Sequence, residues 1–183
     1  MIYLLRKYKI LYLKVLLMAI VFLFMAHPTQ AQDPEYRAQS LYIYKFSKYI
    51  FWPKGSLGNT FKIGVFGNSP IYKELEIMAS LKKAANDIDF EILKVDPETD
   101  DISTCQIIYV ASSKSRQISE ITDIAGDKPI LVVAEREGMG SRGATISFIV
   151  LENGVLKFEI NMDLLEQHKL EIADELLKLG FKI

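Results

Sequence analysis

Cysteine, histidine and excess positive charge are all scarce in this sequence, and each scarcity closes a class of function. One cysteine, Cys105, is present in 183 residues, so no intrachain disulfide can brace the fold and stability must come from packing. The apolar Ile107-Ile108-Tyr109-Val110 run just after it puts Cys105 beside a buried strand, where a thiol is inert. There are two histidines. His27 falls in an N-terminal segment that reads as removable, and His168 stands alone at an expected helix break, where a surface position is the simplest reading. A zinc or copper site would then need carboxylates for nearly every ligand, and none are spaced for it, so no metal or other cofactor is expected. A Ser-His-acid triad would have to use His168, and no Gly-x-Ser-x-Gly elbow follows a strand, so no catalytic residue is assigned. The 22 basic and 23 acidic residues give a net charge of -1, without the excess that a phosphate backbone demands, which argues against nucleic acid.

What is present begins with an export signal. Arg6, Lys7, Lys9 and Lys14 precede an unbroken apolar run from Val15 to Ala26, and Thr29-Gln30-Ala31 offers the small residues of a cleavage site. The run is short of the roughly 20 residues that span a bilayer. Residues 1–31 are therefore expected to be a cleaved signal peptide and not a retained anchor, leaving 32–183 as one exported, periplasmic domain. The segment holds no acid, so its removal leaves a mildly acidic chain. With 50% hydrophobic and 25% charged residues, the chain is globular in composition.

Asp33-Pro34 reads as a helix start, and apolar residues at helical spacing continue to about Ile50, with Ala38, Tyr42, Phe46 and Tyr49 as the expected core stripe beside Ile43 and Ile50. The helix should end at Trp52-Pro53. From residue 61 short apolar runs alternate with amphipathic stretches: strands at 61–66, 88–95, 106–111 and 129–134, helices at 71–85 and 115–125. This is the pattern of a mostly parallel sheet. Two more strands, 144–151 and 155–160, flank Asn153-Gly154, a hairpin signal. Asn161 is placed to cap a last helical region to Leu179, broken near 168–172 and closed by Gly180. The expected fold is a three-layer α/β sandwich whose mostly parallel central sheet ends in an antiparallel hairpin, with helices on both faces.

Two candidate surfaces emerge. Strand C-terminal ends gather near Asn68, Ser69, Ser112, Ser113 and the Arg136–Arg142 loop, the place where open α/β sheets hold small ligands. Gly67-Asn68-Ser69-Pro70 by itself is a turn with Ser69 as helix cap, since one glycine makes no phosphate fingerprint. The loop from Glu135 to Gly143, with three glycines, reads either as a solvated crossover or as a cover for a ligand. The second surface lies on the first helix, where Tyr36, Ser40, Tyr44, Ser47 and Phe51 form a line beside the core stripe. Rigid aromatics among small polar residues suit a protein contact, so Tyr36, Tyr44 and Phe51 are the candidate partner-binding residues, against the alternative of a helix buried on two sides.

Taken in order, the stretch from Tyr44 to Pro53 ending in Trp52-Pro53, the strand Ile63-Gly64-Val65-Phe66-Gly67, the hairpin into Lys157-Phe158-Glu159-Ile160-Asn161, and Leu170-x-Ile172 with Leu176-Leu177 resemble exported regulators of the YfiR type. The resemblance implies a mixed α/β domain, often dimeric, that acts by binding another protein and not by catalysis. The implied partner is the extracytoplasmic domain of a membrane diguanylate cyclase, with a sensor kinase as the other receptor class. Some members of that family carry cysteine pairs that this chain lacks, and Phe51 stands where the family often has an acid. The reading from residues alone keeps a different class open: a periplasmic small-molecule-binding protein that uses the cleft at the strand ends. An enzyme would need Ser69, Ser112 and a carboxylate to converge in a deep pocket with perturbed pKa values.

Overall fold

A computed structural model of the protein describes residues 34–183, so the expected signal segment, its cleavage site and the Asp33 cap lie outside the described residues. Helix α1 (Pro34–Tyr49) runs directly into a short strand, β1 (Ile50–Phe51). The alternating pattern then yields β2 (Thr60–Phe66), α2 (Ile71–Leu81), β3 (Asp89–Val95), β4 (Ile107–Val110), α3 (Ile118–Ala125) and β5 (Leu131–Ala134). The hairpin is β6 (Ile146–Val150) and β7 (Leu156–Ile160), and the chain closes with α4 (Met162–Gln167), β8 (Glu171–Ile172), α5 (Asp174–Leu177) and β9 (Phe181–Lys182). Seven strands pair in the order β3-β2-β4-β5-β6-β7-β9. All pairs are parallel except β6–β7, and β1 pairs antiparallel with β8 in a separate two-stranded sheet.

The fold is the mixed α/β architecture expected from the sequence. Because side chains alternate across a strand, β4 divides the interior in two. Ile107 and Tyr109 join Ile43 and Phe46 of α1, Leu75 of α2 and the Phe148–Phe158 pair of the hairpin in one apolar cluster. Ile108 and Val110 join Ile118, Ile121 and Ala125 of α3 in the other. At the hairpin tip Gly154 has φ +77, and Asn153 Oδ1 accepts from the Val155 N–H at 3.1 Å, as the Asn-Gly signal implies. Asn161 caps α4 by accepting from the Leu164 N–H at 3.0 Å. Cys105 is free and buried, and burial pushes its thiol pKa up, as the strand context leads one to expect.

Helix α1 buries Ile43 and Phe46 of its expected face, with Ile50 just beyond it and Tyr42 packed against the same cluster, but it differs at Tyr49 and in the polar residues it takes inside. The buried positions are Gln39, Ser40, Ile43, Phe46 and Ser47, while Tyr49 is 43% exposed. Polar residues take the interior because each is satisfied there. The Ser40 and Ser47 hydroxyls donate to the carbonyls of Arg37 and Tyr44 within the helix, both at 2.8 Å, and Gln39 accepts from a buried tyrosine.

The other departures are local. Helix α2 ends at Leu81 and not near Ala85, because Lys82 turns extended at φ -133 and ψ 156; the positive φ of Asn86 and Asp87 follows in the turn into β3. A 3-10 turn at Ser112–Gln117 precedes α3. The final region breaks where expected, with Lys169 at φ +56, but the break contains β8 and the chain ends in β9. Gly180 closes no helix. A Cβ there would sit 2.5 Å from Phe158 Cε2 and 2.8 Å from the Phe158 carbonyl oxygen, so glycine is needed for the terminal strand to approach β7.

His168 is the clearest correction: it is not a surface residue but fully buried. The chain reverses directly after α4 and seats the ring beside the start of β6, where Thr145 Oγ1 lies 3.3 Å from Nδ1. Burial holds the imidazole pKa below its usual range, partly opposed by the Ile130 backbone.

Candidate functional site

The first five sheet strands in the order β3-β2-β4-β5-β6 place a topological switch between β2 and β4, because connections leave those neighbours in opposite directions. The loops following them carry Asn68 and Ser69 on one side and Ser112 and Ser113 on the other. These loops touch. A Cβ on Gly67, whose φ is +96, would lie 2.7 Å from Lys114 Cγ and 3.1 Å from Ser113 Oγ. Lys114 lies over the Phe66 ring, its Nζ 4.8 Å from the centroid.

The first turns of α1 reach the same end of the sheet. Tyr36 donates its hydroxyl to Glu135 Oε1 at 2.9 Å, and the Ser112 hydroxyl and backbone N–H donate to the same carboxylate at 3.1 and 3.3 Å. Tyr109 of β4, fully buried, donates to Gln39 Oε1 at 2.6 Å. Gln39 Nε2 in turn donates to Glu35 at 3.1 Å. Ser69 faces both phenols and accepts from the Ile71 N–H at 3.3 Å. Burial first, then the Glu135 carboxylate, pushes Tyr36 up to about 12. The same two causes raise Tyr109 further.

The structure thus brings Ser69, Ser112 and a carboxylate together, but in a chemically quiet form. A phenol driven away from neutral pH serves as donor and not as base, and the Glu135 oxygens are already occupied by three donors. What the arrangement does is fasten α1 across the strand ends. Asn68, Ser112, Ser113 and Arg136 are exposed around it. Arg142 is not part of this group. The Glu135–Gly143 loop is a packed crossover in which Met139 and Gly140 are buried; it leads toward the far end of β6, where the Gly140 carbonyl accepts from Asn161 Nδ2 at 3.0 Å. Gly143, at φ +120, is held against α3 by the Thr122 hydroxyl, which donates to its carbonyl at 2.6 Å. Glu135, which anchors the cluster, was legible in sequence only as the first residue of that loop.

The three aromatic candidates occupy different settings. Tyr36 belongs to the latch just described. Tyr44 is half-buried, with Lys48 and Lys82 placing their Nζ atoms 5.9 and 5.4 Å from its ring centroid. Phe51 is 52% exposed on β1, opposite Glu171 of β8. Tyr36 and Phe51 stand near opposite ends of a helix of 16 residues, about 24 Å at 1.5 Å per residue, so they do not form one compact patch. At the lower end of α1, Trp52 Nε1 donates to the Pro129 carbonyl at 3.0 Å and its ring meets Phe61 edge-on at 5.0 Å. The Trp-Pro exit is therefore the second pin of α1, at the ends where β2 and β5 begin.

Beside that second pin lies an open groove of about 540 Å³ between α4, β8 and α5. No reading of the sequence pointed to it, because its walls come from three short elements brought together by the chain reversal after α4. Among the described residues no His, Cys, Asp and Glu group could hold a metal ion, and no helix is long and apolar enough to cross a membrane.

Residues 36–180, most of the chain, match the YfiR/HmsC-like family. The chain belongs to that family. The match spans every element from α1 to α5, including both pins of the first helix, and the family is one of regulators rather than catalysts. No curated protein matches the chain.

Proposed function

We propose that this YfiR/HmsC-like protein is a periplasmic repressor of a membrane-bound diguanylate cyclase, acting by direct contact with the cyclase's extracytoplasmic domain. The observation that carries the reading is the family match across residues 36–180. The basic, then apolar, then small-residue N-terminus supports export, and a domain without membrane-spanning helices among its described residues suits a soluble periplasmic partner. Repression by binding works only if the inactive conformation of the receptor is bound more tightly than the active one. Phe51 is the exposed apolar anchor for that contact, and Tyr44, half-buried on α1, is a second contact residue; no chemistry at the domain's own residues is required.

The test is crosslinking of the protein in its own membranes, identification of the captured protein, and measurement of cyclase output with and without the repressor. Capture of a diguanylate cyclase whose output rises on deletion is the expected result. Capture of a sensor kinase would replace the receptor class, and a blank with folded protein would sink the reading. Tyr44→Ala combined with Phe51→Ala is expected to leave folding largely intact and to abolish capture.

A further inference from the structure

The groove between α4, β8 and α5 combines an apolar floor with a rim on which three carboxylates outnumber one cation. Met162, Ile172 and Leu177 are half-buried in its walls, and Asp163, Glu166 and Glu171 are exposed around it. Asp163 and Glu166 are three residues apart on α4 and so share one side of the helix. Glu171 comes from β8, directly across from Phe51 of β1. The one cation in the lining, Lys169, is turned to Asp127, its Nζ 2.7 Å from Oδ2. The carboxylates of the rim therefore face solvent without a cation of their own among the contacts of the groove.

An apolar floor ringed by carboxylates selects for one kind of occupant. A neutral apolar segment would gain the floor but strip water from three acids without compensation. An acidic one would be repelled. A segment carrying large aliphatic side chains flanked by lysine or arginine satisfies both parts, with the charges steering approach and the aliphatic groups supplying buried area. We infer that this groove is a docking site for a cationic, aliphatic segment of a partner protein. The inference goes beyond the repressor reading and does not depend on it: it concerns the chemistry of the bound segment, whichever protein carries it.

The probe is a fluorescein-labelled peptide of repeated Lys-Leu-Leu-Lys units, titrated with the purified protein by anisotropy, with a Glu-Leu-Leu-Glu peptide as counterpart. The cationic peptide is expected to bind, to weaken at least tenfold between low and high salt, and to shift the methyl resonances of Met162, Ile172 and Leu177. Glu166→Lys with Glu171→Lys, both at exposed positions, is expected to reduce affinity more than tenfold while leaving the thermal midpoint unchanged. Equal binding of the acidic peptide, insensitivity to the double charge reversal, or a footprint on α1 around Tyr44 would each overturn the proposal. A dimer seen in sedimentation and dispersed by the same double variant would give the groove to a second copy, which also overturns it. Failure to capture a cyclase from membranes, by contrast, would remove the repressor reading and leave this one standing.

Discussion

Where β2, β4 and β5 finish, the buried polar side chains Gln39, Tyr109 and Ser69 are each hydrogen-bonded, whereas near where β5 and β6 begin, His168 Nε2 and Ser147 Oγ are buried without a partner. The first end is the location at which open α/β sheets hold ligands, and here α1 is latched across it. The second end contains an imidazole with one unpartnered nitrogen and an open groove. The difference teaches that the topological crevice marks where backbone geometry permits a site, while side chains decide whether it stays open. In this chain Tyr36 and Glu135 tie α1 over the strand ends, with Asn68, Ser112, Ser113 and Arg136 exposed around them, and an open groove lies at the opposite end.

The two ends should also fail at opposite extremes of pH. The largest effect is expected at the latch: Gln39→Leu leaves the Tyr109 hydroxyl buried without its acceptor, costing about 2–3 kcal/mol, read by urea unfolding at neutral pH. An unchanged midpoint would show that the latch adds nothing and would break the comparison. Next is the acid limb. An unfolded histidine titrates near 6.5, the folded His168 lower, so below 6.5 the unfolded state binds more protons. Stability is full above that value and falls as pH drops, by at most about 1.4 kcal/mol per pH unit for one proton. Unfolding curves of His168→Phe between pH 7 and pH 5 should have a shallower pH slope than those of the parent.

Tyr36→Phe is expected to cost about 1.5 kcal/mol at neutral pH, the low end for a single hydrogen bond to a carboxylate because the pair is only part-buried. The folded phenol titrates at about 12 against 10.0 unfolded, so the native state holds the proton more tightly between those values and stability falls as pH rises through them. Removing the phenol should make the alkaline limb less steep, which denaturation at pH 9 and pH 11 would reveal. The smallest effect belongs to the exposed Lys169–Asp127 bridge. Asp127→Asn should not shift the midpoint measurably, and Lys169→Gly should raise it slightly, because glycine accepts the φ of +56 without strain.

Most of the element order was legible because period-2 and helical spacing report burial directly: the Ile130-Leu131-Val132-Val133 run, the Asn153-Gly154 turn and the Asn161 cap each carry their meaning locally. The face of α1 was legible only in part. Hydrophobicity points to Tyr49, which is exposed, whereas Gln39, Ser40 and Ser47 go inside once hydrogen bonds satisfy them, and two of those bonds lie within the helix while the third comes from a residue 70 positions away. His168 was misplaced for a related reason. Nothing adjacent in sequence shows that Thr145 and Ile130 will enclose it.

The sequence by itself determined the layer order, the hairpin, the inert cysteine and the family resemblance, all of which rest on local spacing and composition. Only the tertiary structure decided that Tyr36 belongs to a latch with Ser112 and Glu135, that Arg142 leaves the strand-end group, and that an acidic groove forms beside Phe51. The physical reason is range: periodicity is written within a few residues, whereas hydrogen-bond satisfaction and desolvation are settled by groups that meet only after the sheet has closed.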